Sequence, residues 1–239
     1  MISLDRITLS HGGHANRAAG MCAMEAAAYI AGEAHSAQPA CVSPAITAFM
    51  AGWNDGLPSD AERDRLLKPL IPLVIGTRTN DPAVEIHIGY LATDWFLRVH
   101  TPAWLSLAGH KAEAQALREF APIASSSDLI EIQPYLDRAK NTANAAESAA
   151  MSAAVSAAWS TAMSATWSAA VSAAMSAAWS AARSAAMSAA RSAARPAAMS
   201  AAMSAANQHL AATVTILQSS ATELVHRMAA VAKVAPKTQ

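Results

Sequence analysis

Five residues with the chemistry of metal ligands and nucleophiles, His11, His14, Cys22, His35 and Cys41, fall within the first 41 positions of this 239-residue chain. Imidazole and thiolate bind zinc, and His11-Gly12-Gly13-His14 could chelate an ion from a flexible loop. The remaining intervals, of seven, twelve and five intervening residues, match no standard zinc pattern. A second chemistry is nucleophilic. Gly20-Met21-Cys22 stands where a helix begins, a helix N-terminus lowers a thiol pKa, and His35 or His14 could serve as base. Papain-like enzymes place a cysteine in this way, but they also need a strand-borne histidine, and strand signals are nearly absent here. There is no Gly-rich phosphate loop, no His-Glu-x-x-His and no Gly-x-Ser-x-Gly. The expectation is therefore a buried cysteine and surface histidines, with no catalytic residue, metal or cofactor assigned. Cys22 and His35 are the catalytic candidates, and all five residues are the metal candidates.

The elements that must position these residues read as helices. Ile2–Leu9 alternates weakly and predicts a short strand or an extended arm. Ser10–His14 is a loop, because adjacent glycines suit neither helix nor strand. A helix opening at Gly20-Met21-Cys22 is expected to run to Ala31 and stop at Gly32, with Glu25 near its outer face. Ser43-Pro44 caps and starts the next, with Ile46, Phe49, Met50 and Trp53 on one face. Ser59 and Glu62 form a capping-box pattern, and Pro69 and Pro72 should kink or end the helix that follows. Asp81-Pro82 starts a helix to about His100 that presents Ile86, Ile88, Leu91, Trp95, Phe96 and Val99. Thr101-Pro102 caps a short turn, and Lys111–Phe120 is a further helix. The serines and Pro134 of Ser125–Pro134 predict a looser connector. Together these make residues 1–140 an all-α head domain.

From Asn141 the composition changes. Ser-Ala-Ala-X repeats from Ser148 to about Ala206, with X at 151, 155, 159 and onward to 203. Alanine has the best helix propensity, so residues 141–206 are expected to form a long Ala-rich helix, kinked or broken near Pro196. Residues 142–195 as one helix would span roughly 80 Å, against a head about 35–40 Å across. Four residues advance ~400°, so X drifts by ~40° per repeat and no constant face forms. This also removes the flat face that alanine-rich ice-binding helices require. Residues 207–239 change period. Leu210, Val214, Leu217, Ala221, Leu224, Met228 and Val231 make three heptads, read as an amphipathic helix docked on the chain or as a seam for a protein partner or self-association. Pro236 onward is expected to be a disordered end.

Lys/Arg and Asp/Glu number 17 each. Residues 1–140 carry 11 and 15 of them, a net of −4, and residues 141–239 carry 6 and 2, a net of +4. Neither half has the basic patch of a nucleic-acid binder. Two cysteines make no disulfide framework, and Met1–Arg6 is no signal sequence, so a cytoplasmic protein is expected. The uncharged Ser148–Ala182 is long enough to cross a bilayer. Ala and Ser are barely apolar, however, and no Lys/Arg cluster flanks the stretch, so a membrane-associated helix at 148–182 is an alternative only.

Gly20-Met-Cys-Ala-Met-Glu-Ala26, Ala31-Gly-Glu-Ala-His-Ser36, Pro39-Ala-Cys-Val-Ser-Pro44, Trp53-Asn-Asp55 and Leu66-Leu-Lys-Pro-Leu-Ile-Pro72 resemble a group of uncharacterised proteins of high-GC actinobacteria and their phages. Similar proteins also carry Ala-rich tetrad repeats and a C-terminal amphipathic helix. The resemblance implies a phage or mobile-element setting and carries no activity and no functional residues. The sequence thus predicts a non-enzymatic interaction or structural protein with the repeat as helical spacer or packing surface. A Cys/His metal-binding or cysteine-hydrolase site in residues 11–41 is the alternative.

Overall fold

The computed structural model describes residues 4–145 and 199–234. Among them there is no strand, and the fold is all-α. The helices are α1 (Ala23–Ile30), α2 (Pro44–Gly56), α3 (Asp60–Leu67), α4 (Ile71–Val74), α5 (Pro82–Trp95), α6 (Thr101–Leu107), α7 (Lys111–Glu119), α8 (Ser126–Ala145) and α9 (Met199–Val234). The Ser-Ala-Ala-X tract up to Ala198, with Pro196 and the 148–182 stretch, lies outside the described residues, as does the end from Ala235. The described residues divide into two units, one of 4–92 with 222–234, the other of 93–145 with 199–221.

The first unit is organised by α1. Residues Ala23–Ala28 are all buried, so this helix is covered on every side, and its small alanines let α2 and α4 approach it. Its start is a capping box in which cysteine takes the usual serine's place. The Cys22 amide donates to Glu25 Oε2 at 2.8 Å, and the Glu25 amide donates to Cys22 Sγ at 3.5 Å. Its end is a Schellman motif: the Gly32 amide bonds Tyr29 O, the Glu33 amide bonds Ala28 O, and Gly32 has φ 78°. Ser43 caps α2 through the Ile46 amide with Pro44 behind it, and Ser59 caps α3 through the Glu62 amide. Pro69 and Pro72 divide the segment after α3 into a 3₁₀ turn, Lys68–Leu70, and the short α4. Arg63, buried, donates to Asn54 O and Leu57 O and so satisfies carbonyls that the end of α2 leaves open.

The second unit begins with the last residues of α5, which continue through a π turn, Phe96–His100, directly into α6. Trp104 and Leu105 are fully buried there, and α7 packs on α6 and α8. The Trp95 indole donates to Ser220 Oγ at 2.9 Å, which fixes α9 by a polar contact. Along α9, Leu217, Ala221, Leu224 and Met228 are buried, and Leu210, Val214 and Val231 half-buried. Val225, Ala229 and Ala232 are buried too. That face is wider than a two-helix a/d seam, and it is covered within a single chain, as a docked amphipathic helix requires.

Several expectations change. Ile2–Leu9 yields no described strand: Leu4–Arg6 is a 3₁₀ turn, and Ile7 and Leu9 are buried. Ser125–Pro134 is no loose connector, because α8 runs through Pro134 to Ala145. Its start is well capped, the Asp128 amide donating to Ser125 Oγ while Asp128 Oδ2 accepts from the Ala124 and Ser125 amides. Thr101-Pro102 caps no separate turn, since Thr101 is buried in a continuous helical run. Ile86 is exposed rather than on the inner face. Glu25, expected near the outer face of α1, is 1% exposed. Its carboxylate is drawn inward by donors that no helical periodicity registers. Among the described residues no helix is long and apolar enough to cross a membrane.

Candidate functional site

The candidate residues of the N-terminal segment meet around Glu25, not around a metal position. Oε1 of Glu25 accepts from the His14 amide at 2.7 Å. Oε2 accepts from the Cys22 amide at 2.8 Å and faces His14 Nδ1 at 2.8 Å. His35 Nε2 bonds the His14 carbonyl at 2.9 Å and lies 3.4 Å from Glu25 Oε1. Burial alone would raise the Glu25 pKa, but the amide donors from His14 and Cys22 and the His14 ring more than offset it and hold the carboxyl below its usual range. Glu25 is therefore an ionised, acceptor-only group at neutral pH.

That charge fixes the protons around it. A carboxylate can only accept, so in the neutral imidazole His14 Nδ1 carries the hydrogen and Nε2 presents a lone pair. Facing that lone pair, 2.9 Å away, is Ser10 Oγ. Ser10, His14 and Glu25 thus form one line of hydrogen bonds. Ser10 Oγ also lies 3.4 Å from Met21 O, a longer and weaker alternative for its proton.

Backbone contacts hold the line from several sides. The Ser10 amide bonds Met21 O, the Leu9 amide bonds Asp64 Oδ1, and the Gly12 amide bonds Asp55 Oδ1. Asn54, buried, donates to Ser10 O and to Asp55 Oδ1, and accepts from the Ala23 amide. One asparagine on α2 therefore ties the loop to the first residue of α1. Gly20 closes the other side with φ 138°. A Cβ there would sit 2.6 Å from His14 Cδ2, 2.7 Å from His14 Nε2 and 2.9 Å from Ser10 Oγ. Gly20→Ala is accordingly expected to cost about 2–3 kcal/mol, from backbone strain and the displaced imidazole. Urea denaturation would check it, and an unchanged midpoint would contradict the crowding.

The other candidates part from this line. Cys22 is buried as the cap of α1, and burial, with the Glu25 charge adding to it, pushes its thiol up to about 12. At neutral pH it is a protonated thiol, not the thiolate that a nucleophile or zinc ligand must be. Cys41 is half-buried, and its thiol is likewise raised by burial and by Glu33. Its carbonyl accepts from the Gly76 and Arg78 amides. His11 is exposed, whereas His14 and His35, expected at the surface, are only 12% and 16% exposed. Among the described residues no group of three or more His, Cys, Asp or Glu is arranged to hold a metal ion. Sequence reasoning passed over Ser10 and Glu25. The available signal was Cys22-x-x-Glu25, a capping-box spacing with sulfur in the hydroxyl's place.

A second polar centre sits in the other unit. His100 is buried beside Phe96, stacked at 5.0 Å, with Trp95 at 5.3 Å and Trp104 edge-on at 6.1 Å. The Trp104 indole donates to His100 Nε2 at 3.1 Å, and desolvation lowers the His100 pKa to about 3. This histidine is neutral and forms part of an aromatic core.

The chain matches no family model, no curated protein and no solved structure.

Proposed function

We propose that the protein is an interaction or structural protein of a phage or bacterial setting, in which a helical body presents the Ser-Ala-Ala-X tract as spacer or packing surface. The observation that supports this reading is the buried face of α9 immediately after the tract: Leu217, Ala221, Leu224 and Met228. Before the tract, α8 buries Leu129, Ile132, Leu136 and Ala139. In sequence, the repeat thus lies between two helices that each bury an apolar face. Because the α9 seam is covered within the chain, a protein partner would meet the repeat or the body before self-association through Leu210–Val231. Two unpaired cysteines accord with a cytoplasmic setting.

The tract's large side chains are its distinctive contact groups, and Trp159, Trp167 and Trp179 are the largest. In the full chain, replacing these three by alanine is expected to leave the thermal melt within a few degrees while abolishing co-precipitation of the native partner. A variant with 148–195 exchanged for a Gly/Ser linker of equal length should behave alike. Retention of the same partner by both variants would sink the reading.

A further inference from the structure

The line from Ser10 to Glu25 has the three parts of an activated nucleophile. A hydroxyl faces a ring nitrogen at 2.9 Å, and the other nitrogen faces a buried carboxylate at 2.8 Å. The ordering of roles is the same as in serine hydrolases, where geometry and not sequence position defines the constellation. We propose that Ser10, with His14 as base and Glu25 as the residue that orients it, is a nucleophile toward neutral acyl esters.

Three features distinguish this line from an incidental polar contact. First, the tautomer is determined: Glu25 is acceptor-only, so His14 Nε2 is the basic nitrogen, and it points at Ser10 Oγ. Second, Glu25 is itself held by the His14 and Cys22 amides, so it cannot swing away from the imidazole. Third, Gly20 leaves free a position where a Cβ would collide with both reacting groups, 2.7 Å from His14 Nε2 and 2.9 Å from Ser10 Oγ. Ser10 and His14 are half-buried, so neither residue is sealed within the core.

The substrate class follows from charge. The Leu9 and Gly12 amides of this loop are already engaged by Asp64 and Asp55. Arg17, in the same segment, donates to the Glu33 carbonyl, while on α3 and the turn after it Arg63 is held by Asp60 and backbone carbonyls and Lys68 by Asp64. An ester that also bears a phosphate or a free carboxylate group would meet the Asp55 and Asp64 carboxylates. An uncharged ester would not.

The step balances without a cofactor. Ser10 Oγ forms a bond to the acyl carbon as its proton passes to His14 Nε2, and the imidazolium is stabilised through Nδ1–H by Glu25. The carbon–oxygen bond to the leaving group breaks, and that alkoxide takes the Nε2 proton and departs as the alcohol. Water then attacks acyl-Ser10 and gives a proton to Nε2. The acid is released, and Ser10 Oγ recovers the proton.

The test uses the full-length protein and an uncharged alkyl fluorophosphonate, whose P–F bond is exchanged for a Ser10 Oγ–P bond. Peptide mapping by mass spectrometry is expected to place the adduct on Ser10 in the wild-type chain. Labelling should vanish in Ser10→Ala and slow by about 10²-fold or more in His14→Gln. Hydrolysis of 4-nitrophenyl butyrate should fall in parallel. Glu25→Gln, a change to the positioning residue, should shift the pH profile of labelling as well as its rate. If a variant fails to fold, the wild-type map alone decides. Cooperatively melting wild-type protein that carries no adduct at Ser10 overturns the proposal, as does a His14→Gln chain that folds and labels at the wild-type rate.

Discussion

Replacing Glu25 by alanine is expected to lower the unfolding free energy by about 3–5 kcal/mol, the range seen when one partner of a buried charged network is removed. The direct losses are three acceptor contacts, to the His14 amide, the His14 ring and the Cys22 amide. Each is a charge-assisted bond worth about 1.5–3 kcal/mol on its own. They are not additive, because the loop can partly relax toward water once its anchor is gone. Loss of the N3 side chain also halves the α1 capping box. Glu25→Gln keeps one carbonyl acceptor and no charge, so it should fall between alanine and the native chain. Urea titrations followed by far-UV circular dichroism would rank the three. Should Glu25→Ala shift the midpoint by no more than Glu131→Ala does at an exposed position of α8, the buried carboxylate would not be the anchor of this loop.

The rank of Glu25 marks where sequence reasoning succeeded and where it stopped. Ser43-Pro44, Ser59-x-x-Glu62 and Asp81-Pro82 announced α2, α3 and α5, because capping chemistry is local and leaves its donors and acceptors within four residues. Gly32, Pro69 and Pro72 were legible for the same reason. α8 was not, since Pro134 counts as a breaker by propensity, whereas the Ser125–Asp128 cap and the buried Leu129, Ile132 and Leu136 outweigh one missing amide. The Ser10–His14–Glu25 line was illegible for a different reason. Its members are four and eleven residues apart, spanning a loop and a helix start, and only the fold's return of the loop onto α1 brings them together. Asn54 and Asp55, which tie that loop down, come from α2, more than forty residues away. The heptad of α9 was legible as an apolar face. What covers that face is a tertiary fact, and the extra buried positions Val225, Ala229 and Ala232 record it.

The second large effect is an acid lability that originates in His100. The unfolded chain binds a proton at this residue near pH 6.5, whereas the folded chain resists it until about pH 3, because desolvation in the Phe96–Trp95–Trp104 cluster disfavours the charged form. Between those values the unfolded state holds more protons, so stability falls as the pH is lowered. The slope approaches about 1.4 kcal/mol per pH unit, and the full span amounts to something on the order of 4–5 kcal/mol. Glu25 adds a second stage in the same direction. Its folded pKa is depressed, so its contribution is complete above the unfolded value near 4.3 and is lost as the pH drops through the folded one. A chain at the low end of ordinary stability would then be close to unfolding by about pH 3. The test separates the two stages with His100→Gln, whose amide oxygen can still accept from the Trp104 indole but does not titrate. This variant should be less stable than the native chain at pH 7, since it packs less well against Phe96, and its stability should change little between pH 6.5 and 5. The native chain should lose about 2 kcal/mol over that interval. Every other titrating group is common to both chains, so the difference between the two curves isolates His100. Parallel curves would mean that this histidine takes up its proton in the folded state, and the aromatic cluster would then have to admit a cation.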